Sequence, residues 1–328
     1  MKTKKKKSKV LRVILLILII ILFIIVTAAG TAFWYISNKL GKINYVDIDE
    51  ENLQISAIAK NNLEGYRNIA LFGIDTRADS YATSRTDCII IVSINEKTKE
   101  VKLISVYRDA YLDITDRGLD KVTHAYVYGG AEKTISTLNR NLDLNITEFV
   151  TVNFEAAKKI VDAVGGIKMT VTDAEATQIT GIGKAGTYNL TGSQALEYAR
   201  TRNIDSDYKR TERMRDVLTA VFNKAKTMNV TQLNNLADEI LPLVYTNIKT
   251  SEIFALAPDA ISYKISESNG WPYEVKGATI SNIWYGVPVT LEENVKKLHQ
   301  DVFNQDEYEP SEIVKEISNS IVKKTGYK

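Results

Sequence analysis

Short apolar segments alternate with longer amphipathic ones along most of this chain. Five runs rich in β-branched residues have strand character, namely NIALFGID, CIIIVSIN, VKLISVYR, FVTVNF and IKMTV. Helical patterns lie between and after them, at EAAKKIVDAVGG, GSQALEYA, 210–227, TQLNNLADEILPLV and LEENVKKLHQDVF. The alternation predicts an α/β protein in which one sheet is covered by helices.

The N-terminal segment has a different pattern. Residues 1–12 contain seven basic residues and no acidic one, and no charged residue occurs from Val13 to Asn38. A helix needs about 20 apolar residues to cross a bilayer, and the run exceeds the roughly 7–15-residue apolar core of a cleaved signal peptide. We therefore predict a basic cytoplasmic segment at 1–12 and one transmembrane helix at 13–38, with the rest of the chain outside the cell.

The remaining chain divides into three predicted parts. Residues 39–66 are polar and lack a sustained period, which indicates an extracellular stem with a short helix near DIDEENLQISAIAKN. The patterned segments make one domain over 67–308, and 309–328 form a polar tail with a loose final helix. The chain has 42 basic and 40 acidic residues, so it is mildly acidic once the seven N-terminal basic residues are set aside. This balance argues against non-specific nucleic-acid binding, which needs a basic face.

Two acidic residues stand at the ends of neighbouring apolar runs. Asp75 ends the first run and Asp87 begins the second, so a loop between two strands can bring them together. Paired carboxylates can hold a magnesium ion, which often takes one or two of them together with waters and phosphate. Aspartate also favours turns at strand ends, and the pattern alone leaves both interpretations open.

Arginines accumulate in the same part of the sequence, at Arg77, Arg85 and Arg108. The guanidinium group is suited to bidentate recognition of phosphate. The same arginines could instead form ion pairs with the nearby aspartates. The sequence does not separate these two roles.

The segment YARTRNIDSDYKRTERMRDV is dense in arginine. Arg200 and Arg202 share a face only if the segment is extended there, and RNIDSD favours a break in the helix. After the break, an apolar stripe predicts an amphipathic helix through Met214, Val217, Leu218, Val221 and Phe222.

This helix begins with charged residues on its inward side. Arg210 lies on the line of the apolar stripe, and Arg213 and Arg215 flank it. A buried charge must meet a partner, because burying it alone is very costly. Ser206 or Asp207 can cap the helix, whose N-terminus adds a positive dipole end. The arrangement favours an anion site over a solvated surface.

Six ordered blocks carry a resemblance to a known family: NIALFGIDTR, SRTDCIIIVSIN, KLISVYRDAYLDI, KVTHAYVYGG, FVTVNFEAAKKIVDAVGGI and LTGSQALEYARTRNIDSDYKRTERMR. With one membrane helix before them, they resemble the LytR-CpsA-Psr family. The resemblance implies a mixed sheet between helices with an apolar tunnel. It also implies an extracytoplasmic transferase of Gram-positive bacteria that moves wall teichoic acid, capsule or a similar glycopolymer from an undecaprenyl-pyrophosphate carrier to peptidoglycan.

The resemblance also implies roles for individual residues. Mg²⁺ would be held by Asp75 and Asp87. The pyrophosphate would be clamped by Arg85, Arg108, Arg200 and Arg202, and further polar motif positions fall on Arg77, Asp207, Arg210 and Arg213. Two residues depart from the family pattern, since Tyr107 replaces a proline and Met214 replaces a glutamine. The implied reaction is an attack by the muramic acid C6 hydroxyl on the phosphorus that carries the glycan, forming a phosphodiester.

Two other functions fit the same residues. A membrane-tethered module that binds a polyprenyl phosphate or glycan would use the arginines without the aspartate pair. A magnesium-dependent polyprenyl-pyrophosphate hydrolase would use the whole site with water as acceptor. Of the remaining conspicuous residues, His124 is interpreted as a hydrogen-bonded structural histidine and Cys88 as a small buried residue.

Overall fold

The apolar runs of the sequence form a mixed seven-stranded sheet. Its strands are β1 (Asn44–Tyr45), β2 (Tyr66–Ile74), β3 (Thr86–Asn95), β4 (Glu100–Val106), β7 (Glu148–Asn153), β10 (Tyr245–Thr246) and β11 (Lys264–Trp271). They are ordered β1-β10-β7-β2-β3-β4-β11. The β2 strand pairs antiparallel with β3 and parallel with β7, which brings the carboxyl ends of β2 and β7 and the start of β3 to one edge.

In the described part of the chain, helices and three two-stranded sheets accompany the central sheet. The small sheets pair β5 (Tyr111–Ile114) with β6 (Gly118–Lys121), β8 (Ile167–Val171) with β9 (Gly186–Leu190), and β12 (Val275–Ile280) with β13 (Ile283–Pro288). The helices are α1 (Ala57–Asn62), α2 (Val122–Leu142), α3 (Phe154–Ala163), α4 (Asp173–Ala176), α5 (Gly192–Arg200), α6 (Asp207–Ala225), α7 (Val230–Ile240), α8 (Leu291–Phe303) and α9 (Glu312–Thr325). Short 3-10 turns lie at Glu50–Leu53 and Leu241–Leu243.

The sheet separates two apolar layers, because successive side chains of a strand point to opposite faces. Phe72, Ile89 and Ile91 belong to a core that contains residues of α2, α8 and α9. The alternate residues Ile69 and Ile90 belong to a cluster on the other face, against which Leu218 of α6 packs. The α/β architecture predicted from the sequence is confirmed.

Two predicted details differ from the structure. The IKMTV run forms β8, which pairs only with β9 and not with the central sheet. The α2 helix was not predicted, because it is interrupted at Gly129 and Gly130, where the backbone leaves helical angles. Many of its buried residues are also polar, which obscures the apolar period: Thr134, Ser136, Thr137, Asn139 and Asn141.

The segments predicted as a stem and a tail are packed against the domain. In the predicted stem, 39–66, β1 pairs with β10, and Leu53 and Leu63 are fully buried in the core. In the predicted tail, 309–328, Val314 and Ile321 of α9 are buried in the same core. The compact unit therefore runs from Ile43 to Lys328. The predicted domain, 67–308, is shorter than this unit. A few well-spaced apolar residues are enough to dock a short polar segment against the core, and they leave little pattern in the sequence.

The computed structural model describes residues 41–75, 84–202, 204–249, 252 and 262–328. The predicted basic segment at 1–12 and transmembrane helix at 13–38 lie outside these residues. Within them, none of the helices has the length and apolar character needed to cross a membrane.

A buried histidine joins α8 to the rest of the core. His299 is fully buried and stacks on Tyr308 with ring centroids 3.7 Å apart. Its Nε2 lies 3.0 Å from the carbonyl oxygen of Leu142, and its Nδ1 lies 3.0 Å from the side-chain oxygen of Gln305. Burial lowers the pKa of His299, and these hydrogen bonds and the nearby Asp143 only partly oppose the effect.

This histidine should make folding stability sensitive to mild acid. The unfolded chain binds a proton at His299 near the ordinary pKa of 6.5, whereas the folded chain does so only at lower pH. We expect the free energy of unfolding to fall as the pH drops below that value, by up to about 1.4 kcal/mol per pH unit from this group. Urea unfolding at several pH values measures the slope. His299→Gln should unfold with a smaller slope than the wild type, and equal slopes would contradict the assignment.

Candidate functional site

Three of the predicted site residues lie at one edge of the sheet. Asp75 follows β2 directly, and Arg85 and Asp87 flank the first residue of β3. Ile74 lies opposite Thr86 in the sheet, and the backbone N–H of Asp75 donates to the carbonyl oxygen of Arg85 at 3.4 Å. The structure thus brings the two aspartates to the ends of adjacent strands. Arg77 lies outside the described residues.

An ion-pair chain extends from this edge. Arg108 follows β4 and donates through Nη1 to Asp87 Oδ1 at 2.7 Å. Its Nε lies 3.4 Å from Asp109 Oδ2, and Asp109 Oδ1 in turn accepts from Lys121 Nζ at 2.7 Å. Asp87 is 12% exposed and Arg108 26%, so both side chains remain open to a ligand. The structure therefore contains an ion pair between Arg108 and Asp87, which is one of the two roles that the sequence left open for the arginines. The pair does not block access to the site.

Arg200 reaches the same edge from the opposite side. It ends α5, whose start is fixed by a capping box between Thr191 and Gln194. A Cβ on Gly192 would collide with the carbonyl oxygen of Lys158, so only glycine lets α5 pack this closely on α3. The guanidinium of Arg200 lies over the ring of Phe154, which directly follows β7, at 4.5 Å from the ring centre.

The arginines divide into two groups by their partners. Arg85 and Arg202 are exposed, and Arg200 makes its ring contact with Phe154. In the described part of the chain, no acidic side chain lies within ion-pair distance of any of these three. Their positive charge is available to an anion such as a phosphate.

The arginines of α6 are buried instead. Arg210, Arg213 and Arg215 are only 2, 3 and 5% exposed. Arg213 donates to both carboxylate oxygens of Asp205, at 2.7 and 3.0 Å, and to the carbonyl oxygen of Thr201 at 3.0 Å.

Two further contacts complete this group. Glu175 lies 3.4 Å from Arg213, and Arg215 donates to the hydroxyl of Ser268 at 2.7 Å. The predicted cap is present, since Ser206 accepts from the backbone N–H of Lys209 at the start of α6, where Asp207 is the first residue. Arg213 therefore ties the break after α5 to α6, and its charge is neutralised within the protein.

An apolar cavity of about 360 Å³ opens behind the same edge. Residues of β2, β3 and β7 line one side, and residues of α3, α5, α6 and α7 line the other. Its wall reaches Gly73 and Asn153 at the strand ends, and Arg200 is the charged residue among the described ones that line it. Cys88 also lines it, and burial raises the pKa of this thiol to about 12, so the thiol stays protonated at neutral pH.

The predicted stripe of α6 forms part of this wall. Met214, Val217, Leu218 and Val221 all line the cavity. The sequence indicated that these residues face inward, but apolar residues that fill a core and apolar residues that line an empty cavity have the same pattern.

The sequence model of the LytR_cpsA_psr family matches residues 31–301. The chain belongs to the LytR_cpsA_psr family. Among its relatives, the chain is 34% identical over 224 residues to "Polyisoprenyl-teichoic acid--peptidoglycan teichoic acid transferase TagT" of Bacillus subtilis strain 168, covering 64% of this chain and 70% of the relative. It is 31% identical to the TagU transferase of Enterococcus faecalis V583, covering 83% of this chain and 89% of the relative.

Solved structures of LytR_cpsA_psr proteins share the fold. TagT bound to LIIa-WTA superposes with a TM-score of 0.62 at 29% identity, covering 74% of this chain and 92% of that chain. YwtF (TagT) with bound octaprenyl pyrophosphate lipid superposes with a TM-score of 0.57 at 27% identity, with the same coverage of 74% and 92%.

The two departures from the LytR_cpsA_psr pattern have clear places in the structure. Met214 lines the apolar cavity, so its replacement of a polar residue extends the apolar wall. Tyr107 packs its ring on that of Tyr208, with ring centroids 4.4 Å apart.

The carboxylates at the strand-end edge could hold a magnesium ion. Within the described ranges, no cluster of three or more histidine, cysteine, aspartate or glutamate side chains could hold a metal. Magnesium does not require such a cluster, because it keeps several waters and often takes only one or two carboxylates with substrate phosphate. The exposed Asp75 and the partly exposed Asp87 on adjacent strand ends fit that demand.

A histidine and aspartate pair lies beside the same edge. Thr123 at the start of α2 bonds to the carbonyl oxygens of Thr86 and Arg108, at 2.8 and 3.1 Å, which fixes this turn against the strand ends. The next residue, His124, places its Nδ1 2.9 Å from Asp120 Oδ2. His124 is thus hydrogen-bonded, as predicted.

The environment of Asp120 favours its charged form. Partial burial raises its pKa, but hydrogen bonds from His124, the Lys121 backbone and Tyr128 outweigh that effect and leave the pKa below its ordinary value. The carboxylate of Asp120 fixes the orientation of the imidazole through this hydrogen bond. The sequence did not reveal this pair, although the i, i+4 spacing of Asp120 and His124 was a usable signal.

Proposed function

We propose that this protein is a membrane-anchored transferase that moves a glycopolymer from an undecaprenyl-pyrophosphate carrier to peptidoglycan outside the cell. The main support for this proposal is that an apolar cavity opens next to a sheet edge that is rich in arginine and aspartate. This arrangement suits an amphiphile with a long apolar tail and a doubly charged head. The names of the relatives, teichoic acid transferases, and the TagT structure with octaprenyl pyrophosphate support the same conclusion.

The pyrophosphate would lie at the strand-end edge. Arg85, Arg200 and Arg202 have no ion-pair partner among the described acidic residues, and they would contact its oxygens with Arg108. The predicted clamp also includes Arg77, outside the described residues. For Arg210 and Arg213 we propose a structural role instead of the predicted one, because both are buried and Arg213 is already neutralised. The site position predicted for Asp207 stays a prediction.

Asp75 and Asp87 would hold a magnesium ion in this reaction. Such an ion supplies charge neutralisation to the phosphoryl oxygens. Asp87 would bind it while keeping its hydrogen bond to Arg108, so one carboxylate would position both the metal and an arginine.

In the reaction, a sugar hydroxyl of peptidoglycan attacks the phosphorus that carries the glycan. A phosphorus–oxygen bond to the acceptor forms, the bridging bond of the pyrophosphate breaks, and undecaprenyl phosphate leaves. The arginines stabilise the negative charge on the phosphoryl oxygens. The proton of the hydroxyl would pass to the imidazole of His124, which Asp120 orients. His124 directly follows Thr123, whose hydrogen bonds to Thr86 and Arg108 fix this turn against the edge.

Anchoring in the membrane fits the donor. Its tail lies in the outer leaflet, and each CH₂ group exposed to water would cost about 0.8 kcal/mol. The apolar residues 13–38, with lysines before them, would hold the domain at that surface. The domain would then meet the donor without extracting the whole tail into water.

Filling the cavity should weaken lipid binding. We expect Leu218→Trp to lower the affinity for a polyprenyl pyrophosphate by about tenfold or more, because the larger ring occupies space that the tail would take. Asn223→Trp places the same ring on an exposed position of α6 and should bind as the wild type does. The measurement is a binding titration with a fluorescent polyprenyl pyrophosphate. Equal affinities for both variants would contradict a tail in this cavity.

The proposed function is tested by giving the full-length protein, in detergent, a lipid-linked disaccharide, a peptidoglycan oligomer and Mg²⁺. We expect a glycan–phosphate adduct of the oligomer by mass spectrometry, lost with a chelator and restored by Mg²⁺. Tight lipid binding without any adduct or cleavage would support the binding module instead. Free phosphorylated glycan, formed equally with and without the oligomer, would support the hydrolase.

A further inference from the structure

A second cleft lies along the same sheet beyond β3, at the ends of β4 and β11, whereas the apolar cavity is lined from β7, β2 and β3. It has a volume of about 270 Å³ and is lined by residues after β4, at the start of α6 and on the β12–β13 hairpin. Its lining includes three aromatic side chains, those of Tyr107, Tyr208 and Trp284, and two polar residues, Asp109 and Ser206. We refer to it as the aromatic cleft.

One wall is a flat indole supported by glycine. Gly277 and Gly286 are paired across the β12–β13 hairpin. A Cβ on Gly277 would lie 2.9 Å from Nε1 of Trp284, and one on Gly286 would lie 3.8 Å from the far edge of the same ring. The indole therefore lies across both glycines. Trp284 is nonetheless 46% exposed, so the face turned away from the hairpin is free for a ligand.

The opposite wall is a pair of tyrosines held in place by backbone contacts. The rings of Tyr107 and Tyr208 lie 4.4 Å apart at 45°. The backbone N–H of Tyr107 donates to the carbonyl oxygen of Trp271 at 2.9 Å, and its hydroxyl group packs against Gly270. Both walls are thus preorganised, which lowers the entropic cost of binding a ligand between them.

The cleft adjoins the candidate active site, because Tyr107 and Asp109, on either side of Arg108 in the sequence, both line it. The backbone N–H of Gly286 donates to the carbonyl oxygen of Asp109 at 2.9 Å, which fixes the hairpin beside the residue that follows Arg108. Arg108 in turn holds Asp87. A ligand in the aromatic cleft would therefore adjoin the phosphate-binding edge, on the side away from the apolar cavity.

We infer that the aromatic cleft binds a pyranose ring of the acceptor glycan. Aromatic rings with a few polar groups at the rim match a sugar, which presents an apolar C–H face and equatorial hydroxyls. The position of the cleft relative to the apolar cavity indicates whether it binds the acceptor or the donor. An in-line displacement places the attacking hydroxyl opposite the leaving group, and the leaving group is the lipid phosphate whose tail would occupy the cavity. This inference rests on the proposed transfer reaction.

The test replaces the indole and measures acceptor and donor kinetics separately. Trp284→Ala should raise the KM for a peptidoglycan oligomer by about tenfold and leave the KM for the lipid-linked donor unchanged. Trp284→Tyr should recover most of the lost affinity, since it restores a flat ring. Ile283→Ala is the matched control, because the neighbouring Ile283 is similarly exposed, at 43%, on the other face of the strand. A rise confined to the donor KM, or none in Trp284→Ala, would overturn the inference.

A binding measurement separates this inference from the proposed reaction. The full-length protein is titrated with the disaccharide N-acetylglucosaminyl-N-acetylmuramic acid and followed by saturation-transfer NMR. We expect saturable binding through the sugar C–H protons, lost in Trp284→Ala and kept in Ile283→Ala. That result would support the cleft as a sugar site even if no transfer product forms. Equal binding by wild type and Trp284→Ala would contradict it.

Discussion

Asp87→Asn is expected to lower the rate of glycan transfer by about 10²–10³-fold, with little change in lipid binding. Asparagine keeps the size of the side chain but removes the charge that Arg108 contacts at 2.7 Å and that would hold the magnesium ion. Arg108 and the magnesium ion would both act on the phosphoryl oxygens, so the substitution should lower the rate of the chemical step. The measurement is the initial rate of adduct formation at saturating donor and Mg²⁺.

The chain offers a close control for this variant. Asp113 on β5 accepts from Arg140 Nε at 2.9 Å, and the two side chains are 23 and 29% exposed. This pair resembles the Asp87–Arg108 pair but lies on β5 and α2, outside the central sheet. Asp113→Asn should therefore keep nearly the full rate. Equal rates in Asp87→Asn and the wild type would show that the edge is not the catalytic centre, and would favour a binding module.

Arg213→Met is expected to destabilise the protein by about 3 kcal/mol. The side chain is 4% exposed and contacts Asp205 and Glu175, which would lose their ion-pair partner. Methionine retains much of the packing volume, so the loss reports mainly on the charge. Urea unfolding of wild type and variant gives the difference.

The same variant distinguishes a structural role of Arg213 from a role in binding the pyrophosphate. Lys209 on the same helix makes an exposed pair with Glu212, and Lys209→Met should leave the unfolding midpoint where it is. If Arg213→Met were as stable as the wild type but had lost lipid binding, Arg213 would be a pyrophosphate ligand, as its motif position implied. A stability loss at Arg213 alone supports the structural role.

The central sheet was predictable because its strands are continuous apolar runs bounded by turn residues. Asp75 and Asp87 could be placed at one edge for the same reason, since each adjoins such a run. The roles of the arginines could not be separated, because charge alone does not show the partner. Glu175, which helps neutralise Arg213, lies 38 residues away in the sequence.

Neither the apolar cavity nor the aromatic cleft could be predicted from local sequence patterns. The apolar stripe of α6 has the same spacing whether it fills a core or lines a cavity. The aromatic cleft joins Tyr107, Tyr208 and Trp284, which are far apart in the sequence and come together only through the fold. The stem and tail were mispredicted because their few buried residues, such as Leu53 and Ile321, are spread among polar ones.

The most direct test of the transfer reaction uses water labelled with ¹⁸O. The full-length protein, the lipid-linked disaccharide, Mg²⁺ and a peptidoglycan oligomer are incubated in labelled water, and the products are weighed by mass spectrometry. We expect an unlabelled phosphodiester between glycan and oligomer, because the acceptor hydroxyl supplies the new oxygen. Free glycan phosphate carrying one ¹⁸O as the main product would contradict it and identify water as the acceptor.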